Sequence, residues 1–268
     1  MIACSRMYNV APGATAAWRT LLEWTARRAR VDLTVIDHPF PAPLEELWER
    51  ADLGCAFMCG WPWAEHAAPP RLLAAPVPAA PRYGGRPVYF TDFVVRDDSP
   101  YRTLADTFGG RIAYTVETSH SGWNAARHHL LRYRTPARPA LYREVRGPYI
   151  SGRRIAPAVL DGEVDVGPMD SYFLELLRRH APDVVAGLRV IESTAAAPIP
   201  PLVAAPAAEA EACDRLTRAL LDAHTAGARQ PVLDDLLLAR FAAVTPDDYR
   251  VTRDRAREAA AAGYPRIA

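Results

Sequence analysis

Val88-Tyr89-Phe90-Thr91-Asp92-Phe93-Val94-Val95-Arg96 is the stretch on which the fold turns. Its β-branched and aromatic residues make it a strand, long enough to run from one lobe of a protein into another. Upstream, Ile2 to Tyr8 reads as a short strand closed by Asn9-Val10-Ala11-Pro12-Gly13. A helix is expected over Ala14 to Arg30, with Trp18, Leu21, Leu22 and Thr25 on one face. Val31 to Ile36 is a second strand, and Pro41 and Pro43 open a short helix carrying Leu44, Leu47 and Trp48. Leu53 to Met58 is an apolar run of the kind that parallel sheets bury on both faces. A proline- and glycine-rich stretch from Pro69 to Pro87 holds strand-like Leu72 to Val77.

Downstream of Arg96 the same rhythm restarts. Asp98-Ser99-Pro100 precedes a short helix, Tyr101 to Thr107, and a Gly109-Gly110 turn. Strand Arg111 to Thr115, helix Ser121 to Arg134, strand Tyr142 to Arg146, helix Ile150 to Leu160, strand Val164 to Gly167 and helix Met169 to His180 follow. Leu188 to Ser193 is a strand, Ala195 to Pro201 a proline-punctuated crossing, and Leu202 to Ala205 a short strand. Two helices, Ala207 to His224 and Val232 to Phe241, and a charged, Ala-rich surface helix from Asp247 complete the chain. Repeated β-α-β-α-β order argues for helix-covered, mostly parallel sheets in an α/β protein. The expected organisation is one lobe from 1–92 and 196–268 and a second from 93–195. Segments near Tyr89 to Val95 and Ser193 to Pro200 would form a two-segment hinge that lets the lobes close over a ligand.

Composition removes several classes. The charge is +1 over 268 residues, which gives no case for nucleic acid or an anionic membrane as partner. Every basic side chain other than histidine is arginine, so no Schiff-base lysine, lysine base or phosphate-loop lysine is available. Cys4, Cys55, Cys59 and Cys213 fit no zinc spacing; a reduced state is expected, with Cys55 and Cys59 able to pair only if the backbone brings them together. No window reaches the roughly eighteen apolar residues of a membrane span, and no basic n-region with an apolar h-region opens the chain. The sequence as it stands is therefore expected in the cytoplasm, or in the periplasm if an export signal has been removed or misassigned.

Three stretches in order carry a resemblance. They are Phe93-Val94-Val95-Arg96-Asp97-Asp98-Ser99-Pro100 with Thr103-Leu104-Ala105-Asp106, then Ser119-His120-Ser121-Gly122, then Leu160-Asp161-Gly162-Glu163-Val164-Asp165-Val166-Gly167. Together they resemble the PhnD-like phosphate/phosphonate-binding subunits of ABC transporters, collinear over roughly Ile2 to Phe241. The resemblance implies a two-lobed type II periplasmic-binding-protein fold. It also implies reversible capture of phosphate, phosphonate or a similar small oxyanion, a transporter membrane subunit as partner, and no cofactor or metal. A monomer is expected.

The candidate site follows from strand ends and helix starts. Helix N-termini carry unsatisfied N–H groups and partial positive charge, so Ser119, Ser121 and Gly122 form an anion loop or, alternatively, an ordinary N-cap. His120 and Asn124 lie within this turn, and His120 could donate to an anion or titrate with pH. Met58-Cys59-Gly60-Trp61-Pro62-Trp63 ends a strand at the carboxyl edge where α/β sheets bind ligands. The resemblance makes this the ligand loop of the first lobe, with Trp61 as a wall and Cys59 and Gly60 offering backbone groups. Tyr8 ends the first strand at the same edge and either donates its phenol or packs. Asp170 either accepts from the ligand, as the resemblance implies, or caps the following helix. Many relatives carry a histidine where this chain has Gly152, and the Arg153 guanidinium could replace that donor. His128 and His129 are expected on the surface. Two other readings stay open on the same scaffold. One is a cytoplasmic lyase or decarboxylase acting on a small carboxylate, with Asp170, His120 or Glu117 as acid or base. The other is a cytoplasmic ligand sensor.

Overall fold

The structure is a computed structural model describing residues 1–227 and 230–268. It divides into two compact units, Met1–Val88 with Pro198–Tyr249, and Tyr89–Ala197 with Arg250–Ala268. The chain from Arg250 onward thus belongs to the second unit, whereas the sequence reading places all of 196–268 in the first.

The strands in chain order are β1 (Ile2–Cys4), β2 (Thr34–Val35), β3 (Leu53–Phe57), β4 (Arg71–Pro78), β5 (Val88–Tyr89), β6 (Thr91–Arg96) and β7 (Arg111–Ala113). They continue as β8 (Glu144–Arg146), β9 (Gly167–Asp170), β10 (Leu188–Ser193), β11 (Ala197–Pro198), β12 (Leu202–Ala204) and β13 (Leu238–Ala242). The helices are α1 (Pro12–Ala29), α2 (Leu44–Trp48), α3 (Gly60–Glu65), α4 (Ala125–Leu130), α5 (Gly152–Leu160), α6 (Ser171–His180), α7 (Ala210–Leu221), α8 (Gln230–Asp235) and α9 (Pro246–Ala261).

In the first unit the strand order is β13-β4-β12-β3-β1-β2. The helices α1 and α2 carry the chain back between strands, so β1 pairs parallel with both β2 and β3. Strand β12 re-joins the sheet after the long excursion through residues 89–197 and runs antiparallel to β3 and β4. Strand β13 is antiparallel to β4 as well. The expected mostly parallel sheet is therefore mixed, because helical crossovers set strand direction only where they occur. All five residues of β3 are buried, as the apolar run predicts. Trp18, Tyr8 and Phe57 form an aromatic cluster beneath the sheet.

The expected helix over Val232 to Phe241 is also revised. Helix α8 stops at Asp235, Leu237 adopts a left-handed conformation (φ 54°), and the rest becomes β13. Pairing with β4 overrides the local helical preference of this leucine-rich run.

The second unit carries the sheet β10-β6-β9, antiparallel throughout, and the parallel pair β7-β8. Strand β9 begins at Gly167, where Val164 to Gly167 had been expected. Val166 instead makes a parallel bridge to Ile112, and Pro168 is accommodated because β9 is an edge strand. The tail is not purely a surface helix: Thr252, Arg255, Ala259, Tyr264 and Ile267 are buried. Among the described residues, no helix is long and apolar enough to cross a membrane.

Phe57 meets the rings of Tyr8 and Trp18 edge-on, each at 4.9 Å between centroids. Phe57→Ala is expected to cost about 3–5 kcal/mol in denaturant unfolding of the first unit. A loss under about 1 kcal/mol would show that this cluster does not organise the core.

Candidate functional site

In the second unit, β7 delivers the chain to Thr115 and then to the turn that starts a helix. Ser119 is the N-cap: its backbone is extended and its Oγ accepts from the Gly122 N–H at 3.0 Å. The helix opens as a π-turn, His120–Asn124, before regular α4. Such turns concentrate at functional sites because they break the regular hydrogen-bond ladder. Gly122 is required by packing. A Cβ there would lie 1.9 Å from Thr115 Oγ1, and Thr115 N–H donates to the Gly122 carbonyl at 3.4 Å. Thr115 is 8% exposed, and its Oγ1 has no hydrogen-bond partner among the described residues. Ser121 is half-buried, its carbonyl accepts from Thr91 Oγ1 at 2.9 Å, and its hydroxyl is engaged by no described residue. The turn thus presents a free hydroxyl on Ser121, a second on Thr115 and the amides of a helix start, a donor set suited to an oxyanion.

Of the two roles expected of His120, donation to an anion and titration with pH, its environment speaks against the second. It is 1% exposed, and burial, then the nearby Arg255 charge, then His128, depress its pKa to about 3. Asn124 Nδ2 donates to the Thr252 carbonyl at 2.8 Å and faces His120 Nδ1 at 3.1 Å. Nδ1 must therefore accept, which assigns the imidazole proton to Nε2. Asn124 Oδ1 accepts from Arg127 Nη2. This asparagine, wholly buried, is a structural hub rather than a ligand group.

Asp170 caps α6, its Oδ1 accepting from the N–H groups of Tyr172 and Phe173 at 2.8 and 3.0 Å. It faces Thr91 across the β6–β9 ladder, and Thr91 in turn holds the Ser121 carbonyl, so Asp170 and the turn are joined through one residue. Arg153 is exposed in the first turn of α5. Just before that helix, Ile150 has φ 68°, a strained conformation for a β-branched residue, while its N–H donates to the Thr115 carbonyl at 3.0 Å. Glu117 is exposed.

In the first unit, Tyr8 is buried with its ring against Trp18 and Phe57, the packed one of its two expected placements. Cys59 is the N-cap of α3, Gly60 its buried first residue, and Trp61 lies half-buried in its first turn. These three share one helix start. Trp63 is core, its indole donating to the Pro70 carbonyl at 2.7 Å. All four cysteines are free and buried, and burial pushes the Cys55 thiol up to about 12. His128 is half-buried and holds Glu258, while His129 is buried against Glu192 rather than on the surface. Among the described residues no His/Cys/Asp/Glu group could hold a metal ion.

Thr115 and Thr91 were not read from the sequence as site residues. The available signal was position: Thr91 opens β6 and Thr115 follows the end of β7 on the way to the Ser119–Gly122 turn.

Comparison places this geometry in context. The family described as "ABC transporter, phosphonate, periplasmic substrate-binding protein" matches residues 13–249. Among solved structures, a binding protein component of an ABC phosphonate transporter from Pseudomonas aeruginosa is 17% identical, with TM-score 0.79, covering 98% of this chain and 87% of that one. PhnD1 from Prochlorococcus marinus, in complex with methylphosphonate, is 14% identical, with TM-score 0.75 and 96% of each chain covered. XAC2383 from Xanthomonas citri bound to ATP is 18% identical, with TM-score 0.64 and 98% of each chain covered. A search of curated protein sequences gives no match. The chain belongs to the family of periplasmic substrate-binding proteins of phosphonate ABC transporters. A small anionic ligand and transporter membrane partners come with that family.

The His120 environment has a pH consequence. Unfolded, this histidine titrates near 6.5, whereas folded it does so only at about 3. Between those values the unfolded state binds more protons, so stability falls as pH falls through the window. Moving from about pH 7 to about pH 5 should cost the wild type about 2 kcal/mol more than His120→Gln, read by denaturant unfolding at both pH values. Equal losses would show that His120 is not held neutral.

Proposed function

We propose that this member of the phosphonate substrate-binding family captures a phosphate- or phosphonate-type oxyanion at the helix start formed by Ser119, His120, Ser121 and Gly122. The observation that carries the reading is the pair of hydroxyls, Ser121 Oγ and buried Thr115 Oγ1, left without partners among the described residues beside the N-terminal amides of that helix. A buried hydroxyl without a partner costs stability, which a ligand oxygen would relieve. His120, neutral in this environment, is suited to donate from Nε2 without adding charge. Thr91 and Asp170 hold the turn in place through the Ser121 carbonyl and the β6–β9 ladder.

Within the first unit, Trp61 and the backbone N–H groups of Cys59 and Gly60 at the α3 start are proposed as ligand-binding groups of that unit. Arg153 is proposed as a further donor on the exposed face of α5. Capture is reversible and serves a transporter membrane subunit. The family supports a periplasmic place of work, and the protein is proposed to act as a monomer.

Isothermal titration with methylphosphonate and inorganic phosphate tests the reading. At hundredfold excess over its dissociation constant, a true ligand should raise folding stability by about 2.7 kcal/mol. Ser121→Ala should weaken binding about tenfold or more, and Thr115→Val similarly, because each removes a donor to a charged group. Wild-type affinity in both variants would refute the assignment of this turn.

A further inference from the structure

The family match ends at residue 249, yet the chain continues through α9 and folds into the second unit. Residues of this segment hold the helix that follows the anion turn. The Thr252 carbonyl accepts from Asn124 Nδ2 at 2.8 Å, and the Ala256 and Pro265 carbonyls accept from Arg127. Between Thr252 and Ala256 stands Arg255, 9% exposed, with Nη2 donating to the Ala196 carbonyl at 2.7 Å. No carboxylate among the described residues pairs with it. The acidic group whose field reaches it, Glu258, is largely exposed and is held by His128 at 2.7 Å. A guanidinium buried without a counter-ion is costly, and an anion nearby would compensate it. Ala196 lies two residues after Thr194, whose Oγ1 accepts from the Thr91 N–H at 3.0 Å, and Thr91 Oγ1 in turn holds the Ser121 carbonyl, so Arg255 is tied to the turn through this short path. Beside burial, its charge also helps to lower the His120 pKa.

We propose that Arg255 is the charge-setting residue of the anion site, a cation from the segment beyond the family match that makes the Ser119–Gly122 turn prefer doubly charged over singly charged oxyanions. The proposal rests on reading that turn as the ligand site. Thr115 Oγ1 and Ser121 Oγ would make the direct contacts, while Arg255 acts through space on the ligand's total charge. Coulomb energy scales with that charge, so a phosphonate dianion gains twice what a sulfonate or carboxylate monoanion gains. Other charged or titratable groups facing this region are Arg127, His128, Glu258 and Tyr89, and comparing ligands at a single pH holds their state constant.

The test is calorimetric binding of methylphosphonate and methanesulfonate at one mildly alkaline pH, where the first carries two charges and the second one. Wild type, Arg255→Gln and Arg255→Lys are compared. Arg255→Gln should weaken methylphosphonate about tenfold and methanesulfonate about threefold, cutting the preference about threefold, while Arg255→Lys keeps most of it. Equal losses for both anions, or an unchanged preference, would overturn the proposal and leave Arg255 as a staple between α9 and Ala196. Should Arg255→Gln fail to fold, the wild type still decides: a preference for methylphosphonate below about threefold refutes the role. A wild type that binds neither anion overturns the reading of the turn itself, a result distinct from the others.

Discussion

One buried amide organises the second unit. Asn124 uses both ends of its side chain at once, donating to His120 and to the Thr252 carbonyl and accepting from Arg127. Through it the helix start, α9 and the C-terminal segment become one hydrogen-bonded body. The orientation of the turn that exposes Ser121, and the tautomer that leaves the His120 proton on Nε2, both follow from this junction. In a low-dielectric interior such a network is rigid when satisfied and costly when broken, which suits a site that must be preorganised for a ligand.

Around that junction the turn is shaped by sterics and charge together. Gly122 lies so close to Thr115 that no side chain fits, and the contact sets the hydroxyl of Thr115 against the helix start. Ile150, strained and tied to the Thr115 carbonyl, closes the other side of the same residue. Ile150 at φ 68° beside a hydroxyl without a partner among the described residues is a local cost of the kind that clusters at ligand sites. The family relationship supplies the transport role; these contacts supply a physical account of how a small oxyanion would be held.

Much of this was legible in residue order. The run Leu53 to Met58 reads directly as a buried strand because every residue is apolar or small, and β3 is buried throughout. Ser119 to Gly122 reads as a helix start because hydroxyls and glycine there satisfy or expose terminal amides. Burial was harder to read. Tyr8 and Asn124 occupy the right places along the chain, but packing against Trp18 and Phe57, and bonding to Thr252, decided their roles. The conversion of the stretch after Asp235 into β13 depends on a partner strand some 160 residues earlier, beyond the reach of local periodicity. Arg255 sits in a charged, Ala-rich tail whose composition gives no sign that one of its arginines is enclosed.

The central claim, that the helix start at Ser119–Gly122 holds the oxyanion, is tested most directly by amide NMR of the intact protein titrated with methylphosphonate. The account predicts that the backbone amides of Ser121 and Gly122 move downfield and saturate together, as amides do when they donate to an anion. Saturable shifts confined to residues away from this turn, with Ser121 and Gly122 unmoved, would contradict it.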